Sequence, residues 1–129
     1  MSQELGLQSP AVPRMATPFG GGMGALGSVC GAVSGALMAI GIAQGRDQPS
    51  QSRDHAYELT RQVYRGFQQE MGSTICRELT GLDLTTPEGV RDMFATGVAM
   101  RVCLKAGSTG YRLALAAIRE AQEGTATAG

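Results

Sequence analysis

The sequence predicts an all-α fold, a small antiparallel bundle of about four to five helices with a glycine-rich central helix. Three observations predict it. No run of four to eight β-branched residues alternates at period two, so strands find no support. Apolar residues recur at helical spacing in several segments bounded by glycine and proline. Aromatic residues are only 5% of the chain and Trp is absent, so the core is left to Ala, Val, Leu, Ile and seven Met, which suits close-packed helices. The 129 residues set an expectation of one domain.

Residues 1–19 carry Pro10, Pro13 and Pro18 and read as an irregular arm with at most one short helical turn. The helical domain spans 20–121, and 122–129 reads as a flexible tail. Within the domain, 25–43 is uncharged and long enough for a helix of five turns, which Gln44 and Gly45 end. A polar loop, 45–54, follows, with Ser52 or Asp54 placed to cap a helix over 55–71, where Tyr57, Val63, Tyr64, Phe67 and Met71 share one face. Gly72 breaks that helix, and Ser73 can cap a short one through 74–81. Thr86 and Pro87 then read as N-cap and first residue of a helix through Val90 and Phe94. A joint at Gly97 or at Val102–Cys103 precedes a last helix over about 104–121, which Gly107 and Gly110 weaken.

The glycine-crowded stretch GGGMGALGSVCGAVSGALMAIGIAQG admits three readings. Gly22, Gly24 and Gly27 match the dinucleotide-binding spacing, but the strand–helix–strand unit that gives that motif its chemistry has no room before Asp47. The nineteen uncharged residues of 25–43 could in length cross a bilayer, yet serines, a cysteine and glycines dilute them and no basic cluster orients them, so the sequence argues against a membrane span. The third reading is a close-packed wall: glycines 27, 31 and 35 line one helix face beside Cys30, near a helix start that favours a thiolate. On pattern alone Cys30 reads equally well as a small core residue.

Eleven basic residues balance eleven acidic ones, so no net field draws in nucleic acid. No secretory signal pattern opens the chain, which makes a cytoplasmic, reducing location the expectation. Three cysteines without a CxxC pair argue against a disulfide framework and for metal binding, catalysis or burial. Cys76 adjoins Arg77, and Cys103 lies between Arg101 and Lys105; positive neighbours and helix starts lower thiol pKa values. Their spacing fits no compact zinc motif, so any joint site needs tertiary packing. His55, the single histidine, lies in a polar stretch and reads first as a surface residue.

The segments FGGGMG, CGAVSG, ALMAIGI and FQQEMGSTICRELTGLDLTTPEG resemble the redox-active helical family named for its cysteines, C_GCAxxG_C_C. The resemblance covers about residues 19–118. It implies that Cys30, Cys76 and Cys103 take the family's three later cysteine positions and meet at a site holding an iron–sulfur cluster of two-iron or four-iron type. Gly27, Gly31, Gly35, Ser34 and Arg77 would wall that site. The family's first cysteine falls upstream of FGGGMG, where this sequence has none, so a fourth ligand is expected from a non-cysteine residue, for which His55 is the candidate, or from a partner. The implied role is electron transfer for a larger oxidoreductase, as a subunit or within a homo-oligomer. Two alternatives remain: a metal-free protein cycling two thiols through a disulfide, and a structural subunit whose cysteines are buried and inert.

Overall fold

A computed structural model of the chain describes residue 6, the backbone of residues 9–128 and the side chains through residue 123. Residues 1–5 and 7–8 of the expected arm and Gly129 of the expected tail lie outside the described residues. Among those described the fold is all-α, with no strand and one isolated bridge, Val29 facing Ile75.

The arm holds a short helix, α1 (Ala11–Ala16), and a 3-10 turn, Thr17–Phe19. Next comes α2 (Gly20–Met23), a helix only in name: Gly21, Gly22, Met23, Gly24 and Ala25 all have positive φ, so the chain winds through a left-handed turn. Left-handed backbone costs an L-residue about 1–2 kcal/mol, which glycine escapes. Three of these five positions are glycine, and Met23 and Ala25 carry the strain. The turn corrects the expected helix over 25–43: α3 begins only at Gly31 and runs Gly31–Gln44, ending where Gly45 donates to the Gly41 carbonyl at 2.8 Å.

α4 (Asp54–Met71) lies where its apolar spacing predicts, with the Ser52 hydroxyl accepting from the Asp54 amide at 3.2 Å and Gly72 capping its end at φ 88°. α5 (Cys76–Thr80) has Ile75, not Ser73, at its N-cap position. Ser73 acts one step earlier, its hydroxyl accepting from the Ile75 amide at 3.0 Å and donating to Glu78. α6 (Pro87–Ala95) starts as predicted, the Thr86 hydroxyl accepting from the Gly89 amide at 3.0 Å. A π-turn, Ala99–Cys103, leads into α7 (Leu104–Ala128). α7 is unbroken at Gly107 and Gly110 and passes the expected end near residue 121. A helical glycine costs about 1 kcal/mol against alanine, too little to stop a helix that packs along its length.

α3, α4 and α7 form the body. Ala36, Ala39 and Ile40 meet Leu59 and Val63 of α4 and Ala114, Ala117 and Ile118 of α7 in one core cluster. Val33, Phe67 and Ala106 form a second. Early α3 therefore packs on late α4 and early α7, so α3 and α7 run parallel and in direct contact, and α4 runs antiparallel to both. At Gly110 a Cβ would lie 2.9 Å from the Ala32 carbonyl oxygen, so this glycine lets α7 approach α3 closely. No helix among the described residues is long and apolar enough to cross a membrane.

Candidate redox site

The packing directions put the start of α3, the end of α4, all of α5 and the start of α7 at one end of the bundle. All three cysteines lie there. Cys30 is the residue before α3, and its carbonyl accepts from the amides of Val33 at 3.0 Å and Ser34 at 3.2 Å. Its own amide donates to the Thr74 carbonyl at 2.7 Å, while the Cys76 amide donates to the Ser28 carbonyl at 2.7 Å. These two bonds bracket the Val29–Ile75 bridge, so 28–30 and 74–76 run as a minimal antiparallel pair. Side chains alternate across such a pair, so Cys30 and Cys76 share the face opposite Val29 and Ile75. They are diagonal neighbours, a relation that separates Cα atoms by about 7–8 Å. Thr74 is buried, its hydroxyl 2.8 Å from the Tyr64 hydroxyl, which fixes one side of the pair to α4.

Cys103 closes the π-turn and is half-buried, as is Cys30; Cys76 is buried. π-turns interrupt helices mostly as single bulges, often at functional sites. The three thiols lie within one another's electrostatic reach. Burial pushes the Cys76 thiol above the ordinary range, and the neighbouring Cys30 and Cys103 push it further. Burial and then Cys30 do the same to Cys103. This reverses the expectation that basic neighbours lower these two values. The reason is geometric: Arg77 is exposed and turns to Asp83, 3.6 Å away, so it leaves burial to dominate at Cys76. Asp83 is itself held below the usual carboxylate range, first by the Thr85 hydroxyl, then by the Thr85 amide and Arg77.

The expected wall is only partly brought together. Gly27 belongs to the turn, not to a helix, with φ 72°; a Cβ there would lie 3.2 Å from Cβ of Arg77, whose amide donates to the Gly27 carbonyl at 3.1 Å. Gly31 backs onto the Phe19 carbonyl, 3.0 Å from where its Cβ would stand. Ser34 is half-buried one turn into α3. Gly35 is exposed, with nothing within 4 Å of an added Cβ, so the three glycines do not form one packed stripe. His55 is exposed in the first turn of α4, while the thiols are at the opposite end. Sixteen residues of helix between His55 and Met71 span about 24 Å, so the structure does not bring His55 to the cysteines.

Sequence reasoning missed Gly22. A Cβ there would lie 2.7 Å from Cβ of Cys76 and 2.7 Å from the Ser28 amide nitrogen, so the left-handed turn rests directly on the buried cysteine. The signal was present in the glycine run, but only the three-dimensional turn says which glycine touches what. Among the described residues no three His, Cys, Asp or Glu side chains converge tightly enough to hold a single metal ion.

No curated protein and no solved structure matches the chain. The model of the C_GCAxxG_C_C family, described as "Putative redox-active protein", matches residues 1–115. With most of the chain matched and three separate cysteine segments folded to one end of a helical body, the chain belongs to the C_GCAxxG_C_C family.

Proposed function

We propose that Cys30, Cys76 and Cys103 hold an iron–sulfur cluster and that the protein transfers electrons for a larger oxidoreductase. The observation that carries this reading is the gathering of three thiols, from three distant segments, into one another's field. Soft thiolate donors suit iron–sulfur clusters. An iron–sulfur cluster takes its cysteines at separate corners and so does not need them to converge on one ion. Raised thiol pKa values lower the thiolate fraction that disulfide exchange and metal ligation alike need.

The chain's own part is to hold and to shield. The 28–30 and 74–76 pairing fixes two sulfurs, the π-turn presents the third, and the left-handed turn keeps water from Cys76. A bound cluster would supply one-electron transfer, and the burial around Cys76 would help to set its potential. His55 has no place in this reading.

A second reading, a metal-free thiol couple, draws on the absence of a tight three-ligand group among the described residues. Serine substitution of each cysteine separates the two. The cluster reading expects every single substitution to bleach the visible chromophore of anaerobically isolated protein. The thiol reading expects a colourless protein in which only two of the three substitutions abolish disulfide formation.

A further inference from the structure

Next to the thiols, on the other side of the π-turn, a groove of about 490 Å³ runs between the end of α4, α5 and the start of α7. That volume falls in the range of small-molecule sites, roughly 300–1,000 Å³. Its apolar floor is Met71, Leu79 and Val102. Arg101 and Lys105 stand on one side of it and Glu78 on the other. The two cations are one helical turn apart and both line the groove. Lys105 has no ion pair among the described residues. Arg101 is steadied by donating to the Thr96 carbonyl at 3.1 Å, and Glu78 by the Ser73 hydroxyl. Two cations facing one carboxylate leave one positive charge in the groove uncompensated.

We propose that this groove binds a small organic monoanion, its charged head between Arg101 and Lys105 and its apolar body on Met71, Leu79 and Val102. A bidentate guanidinium and a flexible ammonium together suit a carboxylate. Glu78 disfavours a second negative charge at the far end. The inference does not depend on the cluster reading, since none of these residues is a cysteine and the groove exists without a metal.

The test uses the full chain as isolated, with its iron content recorded so that the two readings fail separately. Three probes share one apolar body: hexanoate, hexylammonium and hexanol, with hexyl phosphate, largely a dianion near pH 7, as a fourth to test the limit to one negative charge. Binding is followed by calorimetry and by amide chemical shifts. The expected result is that hexanoate binds at least tenfold tighter than hexylammonium and hexanol, and tighter than hexyl phosphate, with shifts at Ser73, Leu79 and 101–105. The double variant R101Q/K105Q, at two exposed positions, is expected to keep its fold and lose that preference. Equal binding of the four probes, shifts elsewhere, or a preference that survives in a folded double variant would each overturn the proposal.

Discussion

Replacing Gly22 with alanine tests the claim that the left-handed turn is built against Cys76. Two costs add. At φ 72° an L-residue bears about 1–2 kcal/mol of backbone strain. The new methyl also arrives 2.7 Å from Cβ of Cys76 and from the Ser28 amide nitrogen, and 2.9 Å from the Ser28 carbonyl oxygen. Two of these three atoms are backbone, so relief requires moving the 28–30 segment, and overpacking of this kind costs about 1–3 kcal/mol. The sum is about 2–5 kcal/mol. Two controls divide it. Gly24 has φ 60° but nothing within 4 Å of an added Cβ, so Gly24→Ala carries the strain alone, about 1–2 kcal/mol. Gly35 is an exposed interior position of α3 with open space around it, so Gly35→Ala is expected to stabilise by about 0.5–1 kcal/mol. Urea unfolding of the three variants reads the order directly, and the accessibility of Cys76 to a thiol reagent reports whether the thiol has moved. If Gly22→Ala costs no more than Gly24→Ala and leaves Cys76 protected, the contact argument is wrong.

Four further outcomes follow from the same geometry. In metal-free protein, Cys30→Ala should lower the thiol pKa of both Cys76 and Cys103, with both staying above the ordinary range because burial is the larger cause; alkylation rate against pH measures this. Because both folded-state values are raised, their contribution to stability is complete below the unfolded thiol pKa of about 8.5 and is lost as pH rises through the folded value, so metal-free protein should weaken to urea on the alkaline side. Gly89→Ala would press a methyl into the Asp83 carbonyl oxygen, so the start of α6 must open; a loss above about 2 kcal/mol is expected, against about 1 kcal/mol for the cap variant Thr86→Ala. Gly110→Ala would press α7 off the Ala32 carbonyl, 2.9 Å away, and should cost about 1–3 kcal/mol in thermal or urea unfolding despite improving helix propensity.

What the sequence made legible is what local chemistry controls. The apolar stripe of α4 and the Thr86–Pro87 start of α6 depend on residues close in the chain, and the structure has them where the pattern places them. The left-handed turn was not legible, because nothing in the side chains of Met23 and Ala25 announces positive φ; the run of glycines merely permits it. The wall of glycines failed for the same reason, since a helix was assumed through 25–30 where the chain turns. That three cysteines share one end of the bundle follows from α4 returning antiparallel and α7 running parallel to α3, a tertiary fact. The direction of the thiol shifts was misjudged because sequence adjacency to Arg77 says nothing of where its guanidinium points, and it points to Asp83.

The most direct test of the account is to purify the protein without oxygen from iron-replete cells and assay iron and acid-labile sulfide per chain alongside the visible spectrum. The account predicts a brown protein, bleached by dithionite, with about two or four irons and matching sulfide per cluster. A colourless protein that holds neither iron nor sulfide, and takes up none on anaerobic reconstitution, would contradict it.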